Sequence, residues 1–593
     1  MNTPIAPPKK VSNKAKKLKK NILGRMAGLC VGALMPIAIP LLAAPAVAAE
    51  RVTLTYGFVE ISTTVDDLQS YADTGVPSRE LNAYLRFLSA EQQDQFRQAL
   101  QVRQDVDHVQ ISRFLYSALG ENLTRVLGGI IQTQGRRDGA RGLRGALVLA
   151  AAEPEGLSLL GVLDKFPTDN VRIDSQRAFQ AIGALTRLIQ NTERAIAAIQ
   201  AQSTPRSILQ STVPALEALS QPGPYTVSVR TITVADGERS RDLITDLYLP
   251  VNAPPAGIVV ISHGLAGDRK GFDTVAEHLA SHGYAIAALE HPGSNTARLY
   301  EVFRGVADEV ADPTEFSDRP RDVSYLLDEL TRLNAPGGTL AGQLDPERIG
   351  IIGHSFGGYT ALALSGAQLD YDTLRTNCSS TDFIYSGANP SIGLQCTALL
   401  APNQFSADLE DDRIQAVIAL NPVTSSLFGP QGFAQIDIPS LIVSGSVDPL
   451  APALLEQIRP FTWLNKVDET DSDTEQPAHY LALIEGGSHL YDPLEVEGAE
   501  RVAIASNLVN ADPELAYSYL KALSLGFLRA ELEQDPIYQT AFDDASIVQL
   551  GTQPLPLYIV RDLTEAMLNP PPAPPPEITP PETPNIAPPT PNE

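Results

Sequence analysis

Basic residues and cysteine are both scarce in this sequence of 593 residues. The chain has 44 lysines and arginines against 70 aspartates and glutamates, a formal net charge of −26, and only three cysteines and eight histidines. A surface this acidic repels phosphate backbones, so we expect no nucleic-acid partner. The few cysteines and histidines form no ligand cluster, and we expect no metal and no cofactor. Charged residues make up 19% and hydrophobic residues 43% of the chain, which excludes collagen, coiled coil and bulk disorder.

The basic residues are concentrated at the amino end. Eight of them and no acidic residue lie within the first 49 positions, and the stretch from Met26 to Ala49 is uncharged and apolar. This order predicts a signal peptide at 1–49, cleaved near Ala48 or Ala49, and export to the periplasm or the extracellular space. An uncleaved membrane anchor is the alternative, because about 20 apolar residues span a bilayer, and only in that case do we expect membrane contact. Without the leader, 36 basic residues face 70 acidic ones and the net charge falls to −34.

Cys378 and Cys396 are the cysteines that remain after the leader is removed. In an exported protein, this pair within one loop-like insertion predicts a disulfide rather than a metal site or a catalytic thiol. At the carboxyl end, residues 570–593 contain 12 prolines in 24 positions. That composition predicts an extended, disordered tail.

The hydrophobic period changes once between the two ends. Residues 51–65 alternate as a strand or hairpin arm, and the rest of 50–200 carries helical stripes, which predicts a mainly helical domain with a structural or lid role. The stripes consist of Ile111, Leu115, Leu119, Leu123, Leu127 and Ile131, and of Ile182, Leu185, Ile189, Ile196 and Ile199. The proline-rich stretch 201–224 predicts a linker to a second domain at 225–569.

Short apolar runs alternate with helical stretches in this second domain. The runs are Tyr225–Val234, Leu243–Leu249, Ile258–Ser262, Ala285–Leu289, Arg348–Gly353, Ala416–Leu420, Ser440–Ser444 and Tyr480–Ile484. This alternation predicts an α/β fold with a mostly parallel sheet covered by helices on both faces. Ligands of such sheets bind outside the carboxyl ends of the strands. The segments 367–411 and 459–478 are interpreted as insertions between core strands that overhang this edge.

Ser355 lies in the sequence Gly353-His354-Ser355-Phe356-Gly357-Gly358, after a strand-like run and before a helix-forming stretch. This is the G-x-S-x-G pattern in the context of a nucleophile elbow, in which the flanking glycines permit a tight turn. The serine hydroxyl is then exposed at a helix amino terminus, where developing negative charge is favoured. We therefore predict that Ser355 is a catalytic nucleophile.

A serine nucleophile requires a base, and the base requires an acid that fixes its tautomer. We choose His489 because it follows the run Tyr480–Ile484 and lies at a carboxyl strand end, whereas His479 opens that strand at the opposite edge. We choose Asp448 because it follows the run Ser440–Ser444. Asp437 precedes that strand, and Asp492 lies within the histidine loop itself.

The tetrahedral intermediate also needs hydrogen-bond donors for its oxyanion. The backbone N–H of Phe356 is one candidate, and the N–H of Leu265, in the loop after Ile258–Ser262, is the second. We interpret His263 as shaping that loop and His354 as a packing neighbour of the elbow. Four further histidines have no acid or ligand partner at a spacing that would indicate a site, and we interpret them as surface or helix-end residues. They are His108, His278, His282 and His291.

At these residues the sequence resembles the α/β-hydrolase family, and within it the branch of platelet-activating-factor acetylhydrolases and dienelactone-hydrolase-like proteins. The resemblance rests on Ser262–Leu265, on 279–291 and on Gly353–Gly358, and it covers about Tyr225 to Asp492. It implies acyl-ester hydrolysis without a metal, with oxyanion donors at Leu265 and Phe356.

The sequence departs from the acetylhydrolase pattern at one position. Those enzymes take their acid from the loop after the strand that matches Ala416–Leu420, where this chain has Asn421-Pro422. A neutral amide cannot serve as the acid, so Asp448 must do so. Ser355 stands in place of the cysteine of dienelactone hydrolases, which favours ordinary esters. Residues 51–200 look like the helical domain of unknown function that precedes such hydrolases in exported bacterial proteins.

The sequence therefore predicts an exported serine hydrolase that cleaves carboxylic esters, small or lipid-like, through Ser355, Asp448 and His489. A serine peptidase or amidase with the same three residues is one alternative. A catalytically silent envelope binding protein is the other. The sequence does not decide the oligomeric state.

Overall fold

The computed structural model describes residues 49–56, 59–86, 88–202, 216–380, 387–464, 477–491, 508–543 and 554–568. The predicted signal peptide up to residue 48, the proline-rich tail and Asp492 lie outside these residues, as do most of the predicted linker and part of the insertion 459–478. In the part of the chain that is described, no helix is both long and apolar enough to cross a membrane.

The strands are numbered in chain order. They are β1 (Arg51–Tyr56), β2 (Val59–Thr64), β3 (Arg103–Gln104), β4 (Ile131–Gln132), β5 (Leu157–Ser158), β6 (Asn170–Asp174), β7 (Val227–Asp236), β8 (Arg241–Pro250), β9 (Ala256–Ser262), β10 (Ala285–Leu289), β11 (Leu344–His354), β12 (Ile414–Leu420), β13 (Ser440–Gly445), β14 (His479–Ile484) and β15 (Leu557–Val560).

The α-helices are numbered in the same way. They are α1 (Val65–Thr74), α2 (Arg79–Leu85), α3 (Ala90–Gln101), α4 (His108–Tyr116), α5 (Ala118–Ile130), α6 (Ala140–Ala151), α7 (Leu159–Asp164), α8 (Ser175–Gln202), α9 (Leu216–Leu219), α10 (Asp273–Ser281), α11 (Thr296–Arg304), α12 (Glu315–Asn334), α13 (Phe356–Leu364), α14 (Tyr371–Ser379), α15 (Ser391–Thr397), α16 (Ser425–Phe433), α17 (Arg459–Leu464), α18 (Pro513–Phe527), α19 (Pro536–Asp543) and α20 (Glu565–Leu568). Shorter helical turns lie at Ala398–Leu400, Pro402–Ser406, Leu454–Ile458 and Leu528–Leu532.

The described residues from β7 onward build one nine-stranded sheet in the order β15-β14-β13-β12-β11-β9-β10-β8-β7. The six strands from β14 to β10 are parallel to their neighbours, and β15, β8 and β7 pair antiparallel at the two edges. The central strands β9, β10 and β13 are buried along their whole length, because helices cover both faces. The predicted α/β-hydrolase fold is confirmed, and each predicted strand-like run lies on a strand of this sheet.

The N-terminal segment, defined as residues 49–202, is mainly helical as predicted but also contains a small sheet. β1 and β2 form an antiparallel hairpin, and β6 adds to β1 in parallel, giving the order β2-β1-β6-β4. The sequence indicated only the first arm, because β4 and β6 are too short for a clear alternating pattern.

Two helical stripes predicted in this segment differ from the structure. The first is broken at Ser117, whose side chain accepts a hydrogen bond from the Gly120 N–H and so ends α4 and begins α5. The second is buried only toward the end of α8: Ile182, Leu185 and Ile189 are 59%, 46% and 51% exposed, whereas Ile199 is fully buried. The side chains that α8 buries are mainly small; they are Ser175, Ala181, Ala184, Leu188, Ala195 and Ile199. Small side chains permit close helix packing, which the larger residues would prevent.

Candidate active site

Ser355 forms the sharp turn between β11 and α13. Its backbone lies at φ 54° and ψ −114°, a conformation that side-chain-bearing residues rarely adopt. A Cβ added at Gly353 would lie 1.9 Å from the Gly357 carbonyl oxygen, and one at Gly357 would lie 2.0 Å from that of Ser262. Only glycine fits at these two positions. The glycines let the turn close tightly enough to hold the serine hydroxyl at the amino end of α13.

His489 joins Ser355 to Asp448. Its Nε2 lies 3.0 Å from the Ser355 hydroxyl oxygen, and its Nδ1 lies 2.6 Å from Oδ2 of Asp448. The three side chains come from the loops after β11, β13 and β14, and each is less than a tenth exposed. The structure thus brings together the three residues that the sequence singled out. The arrangement allows Nδ1 to donate to the carboxylate while Nε2 accepts the serine proton.

Four donors surround the carboxylate of Asp448. Oδ2 accepts from His489 Nδ1 and, at 2.7 Å, from Asn421 Nδ2, while Oδ1 accepts from the N–H groups of Leu450 and Ala451 at 2.8 Å each. Burial opposes ionisation, but His489 and these hydrogen bonds hold the pKa of Asp448 below its usual value. Asp448 is therefore an ionised hydrogen-bond acceptor at neutral pH.

Asn421 lies where the acetylhydrolases would carry their acid, directly after β12. It is fully buried at φ 45°, and its side-chain oxygen accepts from the Tyr491 hydroxyl at 3.2 Å. The sequence showed that Asn421 could not be the acid. It did not show that the amide would donate to Oδ2 of Asp448, the same oxygen that accepts the hydrogen bond from His489 Nδ1.

The two proposed oxyanion donors belong to backbone that borders Ser355. Gly264, which precedes Leu265, is so close that an added Cβ would lie 3.3 Å from the Ser355 Cβ. Phe356 is the first residue of α13, so its N–H has no acceptor within the helix. The N–H of Leu265 also has no hydrogen-bond acceptor among the described residues. Both groups are thus available to a ligand atom.

Arg319 lies beneath these two backbone segments and was missed in the sequence. It is fully buried in α12, it donates to the His263 carbonyl and to Ser262 Oγ, and its guanidinium carbon lies 4.5 Å from the centre of the Phe356 ring. Burial lowers the pKa of Arg319 to about 10, so it remains charged at neutral pH. Arg319 therefore contacts Phe356 directly and reaches the loop of Leu265 through the His263 carbonyl, two residues before it. An arginine on the apolar face of an amphipathic helix was the available signal.

A second chain of hydrogen bonds continues from Arg319 into the core. Ser262 Oγ lies 2.9 Å from His291 Nε2, and His291 Nδ1 lies 3.0 Å from Oδ2 of Asp322. All three side chains are fully buried. The interpretation of His291 as a surface or helix-end residue is therefore wrong. Burial and the nearby Arg319 hold the pKa of His291 well below its usual range, so the ring is neutral.

The remaining histidines divide between packing and surface positions. His263 accepts from the His291 N–H at 3.0 Å and shapes the loop before Leu265, and the His354 ring packs 5.0 Å from that of His489. His479 and His278 are buried, which corrects the surface interpretation for His278. His282 ends α10, and His108 is exposed at the start of α4.

The sequence also predicted a disulfide and no metal site. Cys378 and Cys396 form a disulfide with their Cα atoms 5.7 Å apart, and it joins α14 to α15 within the predicted insertion 367–411. Within the described residues, no group of three or more histidine, cysteine, aspartate or glutamate side chains is placed to hold a metal ion.

Two family models match parts of this chain. Residues 48–174 match a family described as "Alpha/beta hydrolase of unknown function (DUF1400)", and residues 253–388 match one described as "Serine aminopeptidase, S33". The second match includes Leu265, Ser355 and Phe356 and ends before the loops that carry Asp448 and His489.

One curated relative is similar to part of the chain. It is the platelet-activating factor acetylhydrolase of Cavia porcellus, 31% identical over an alignment of 133 residues that covers 18% of this chain and 30% of the relative. The match thus spans less than a third of that relative's length. The fold and the matched families are those of α/β hydrolases.

Proposed function

We propose that this chain, whose fold and family matches are those of an α/β hydrolase, is an exported serine hydrolase that cleaves carboxylic esters. The observation that carries the proposal is the hydrogen-bonded relay from Ser355 through His489 to Asp448, with distances of 3.0 and 2.6 Å. The similarity to an acetylhydrolase supports an ester as the substrate class. Export is supported by the basic, apolar leader and the disulfide.

In the acylation step, Ser355 Oγ attacks the ester carbonyl carbon as His489 Nε2 takes the hydroxyl proton. Asp448 stabilises the imidazolium that forms. The carbonyl oxygen becomes an oxyanion that accepts from the N–H groups of Leu265 and Phe356. When the carbon–oxygen bond of the leaving alcohol breaks, His489 donates its proton to that alkoxide, and an acyl-serine ester remains.

Deacylation repeats these steps with water as the nucleophile. His489 takes a proton from the water, the hydroxide adds to the acyl carbon, and the same two N–H groups bind the oxyanion. Collapse breaks the bond to Ser355 Oγ, which recovers its proton from His489. The products are a carboxylic acid and free enzyme, so the cycle needs no cofactor.

A serine aminopeptidase is the second candidate, because the family model over 253–388 carries that description. It would use the same serine and base but would release an amine. Parallel assays of p-nitrophenyl esters and aminoacyl p-nitroanilides separate the two activities. We expect turnover of the esters, and anilide turnover at a comparable kcat/KM would favour the peptidase.

Labelling with a fluorophosphonate probe tests whether the relay is active. We expect the wild type to be labelled and Ser355→Ala to be unlabelled and inactive on esters. Ser365→Ala is the matched control: this serine is buried at the end of the same helix, and its hydroxyl donates to the Leu362 carbonyl at 2.9 Å. An unlabelled wild type, or equal labelling of Ser355→Ala, would refute the proposal.

A further inference from the structure

The N-terminal segment contacts the hydrolase fold at α11 and at the loop that follows it, through two reciprocal helix-end interactions. The Glu309 carboxylate accepts from the N–H of Ala118, the first residue of α5, at 2.9 and 3.0 Å. In the opposite direction, Arg113 of α4 donates to the Phe303 carbonyl in the last turn of α11. Negative charge at a helix amino end and positive charge at a carboxyl end are both favourable. Each part of the chain therefore supplies a charge that the other part's helix end prefers.

The other end of α11 is bonded to the loop that carries Leu265. The Ala266 N–H donates to the Ser294 carbonyl at 2.8 Å, and the Thr296 N–H donates to the Gly267 carbonyl at 2.9 Å. Thr296 is the first residue of α11. A displacement of this nine-residue helix would thus reach the backbone directly after the proposed oxyanion donor.

Besides the contacts of α8, such as that of Gln200 Nε2 with the Glu485 carboxylate, the N-terminal segment contacts α15. Gly393 has no side chain where Leu119 of α5 packs, and an added Cβ there would lie 2.6 Å from Leu119 Cδ1. This close approach places α5 directly against the insertion that the disulfide closes. Leu119 is the residue after Ala118, so the same turn of α5 makes both contacts.

α15 is in turn bonded to the loop that carries Asp448. The Ser391 N–H donates to the Leu450 carbonyl at 3.0 Å, and the Leu450 N–H donates to Asp448 Oδ1 at 2.8 Å. The buried Glu456 carboxylate also accepts from Ser391 Oγ and Gln395 Nε2, each at 2.9 Å. α15 is therefore bonded directly to the loop that carries Asp448 through Ser391, and through Glu456 to the helical turn that follows that loop.

We propose that the N-terminal segment is a built-in brace of the active site. In this brace, the first turn of α5 connects the oxyanion loop, residues 264–267, to the acid loop, residues 448–451. The inference rests on the proposed function, because it gives the two loops their roles. Small displacements of catalytic groups cost large factors in rate. The brace makes the N-terminal segment a positioning element, and it needs no contact with the substrate.

The experiment truncates each contact in the full-length chain, with Glu309→Ala in the loop after α11 and Leu119→Ala at the contact with α15. We expect kcat for p-nitrophenyl acetate and the rate constant of fluorophosphonate labelling to fall on the order of tenfold to a hundredfold in each variant, with little change in KM. Because one turn of α5 connects both loops, losing either the Glu309 contact or the Leu119 contact removes the connection between them. The double variant should therefore lose much less than the product of the two single losses.

Glu121→Gln is the matched control. Glu121 also lies in the first turn of α5, but its partner Arg144 belongs to the N-terminal segment itself, 2.9 Å away. We expect this variant to keep wild-type rates. Folded single variants with wild-type rates, or single losses that multiply in the double variant, would overturn the brace.

Hydrogen–deuterium exchange provides a readout that does not depend on turnover. We expect faster amide exchange at 264–267 and at 448–451 in both single variants and no change in Glu121→Gln. A silent wild type with this exchange pattern would refute the proposed function and leave the brace intact. Unchanged exchange at both loops, in an active wild type or a silent one, would refute the brace.

Discussion

Asp448→Asn is the substitution whose outcome the geometry defines most closely. Oδ1 of Asp448 accepts from two backbone N–H groups, those of Leu450 and Ala451. An asparagine would keep its amide oxygen at this position, because an NH₂ group there would face two donors. Its NH₂ would then occupy the Oδ2 position, where it faces His489 Nδ1 and one fixed donor, Asn421 Nδ2, rather than two. The surroundings therefore select one of the two amide orientations.

This orientation reverses the tautomer of His489. With an NH₂ group opposite, Nδ1 must accept, so the ring proton moves to Nε2. Nε2 lies 3.0 Å from Ser355 Oγ and could then only donate to the serine, so it could not take its proton. In other serine hydrolases the same change lowers kcat by about 10⁴, which corresponds to about 5.5 kcal/mol of transition-state stabilisation. We expect a loss of that order here.

The assay is steady-state hydrolysis of p-nitrophenyl acetate, with circular dichroism and a urea unfolding curve to verify that the variant is folded. Asp437→Asn is the matched control, since Asp437 is exposed and lies before β13 at the opposite edge of the sheet. We expect wild-type kcat for this control. If folded Asp448→Asn kept kcat within tenfold of the wild type, Asp448 would not be the acid and another carboxylate would have to be sought.

Two further predictions concern buried charge. Arg319→Lys should lower kcat by about tenfold to a hundredfold, because an ammonium group cannot make the planar contacts to Ser262 and His263 while stacking on Phe356. The control is Arg332→Lys at the exposed end of α12, which should keep the wild-type kcat. Equal kcat in the two variants would contradict the reasoning. His479→Gln should make the free energy of unfolding less sensitive to acid. Burial lowers the pKa of His479 from 6.5 to about 4. Between pH 6.5 and pH 4 only the unfolded chain binds this proton, so the wild type loses stability as the pH drops. Urea unfolding at pH 7 and pH 5 should show the wild-type loss diminished by about 2 kcal/mol in His479→Gln, and equal losses would contradict the shift.

The fold could be predicted because its central strands are continuous apolar runs between helical stretches. Buried parallel strands need such runs, and the runs lie in the sequence itself. The elbow at Ser355 and the loops after β13 and β14 could be located for a related reason. Catalytic groups of this fold lie at the carboxyl ends of strands, so few candidates compete at each position.

The polar core could not be predicted in the same way. Arg319, His291 and Asp322 lie on a helix and a loop that are distant in sequence, and their burial depends on pairing across three elements. The buried face of the first half of α8 was mispredicted for a similar reason, because the choice between Ala181 and Ala184 on one side and Ile182 and Leu185 on the other depends on how closely the neighbouring elements approach. Periodicity identifies a helix but does not decide which face it buries when both faces are apolar.

The proposed assignment of Asp448 as the acid is consistent with the pairing of β12 with β13. These strands are parallel neighbours, and the Asn421 N–H still donates to the Val443 carbonyl at 2.8 Å where β12 ends. Side chains that follow the two strands therefore reach the same space beside His489. Two carboxylates there would repel each other, whereas an amide at 421 donates to the carboxylate at 448 at 2.7 Å. An acid on β13 thus requires a neutral donor after β12, and Asn421 supplies one while leaving the serine and the histidine in place.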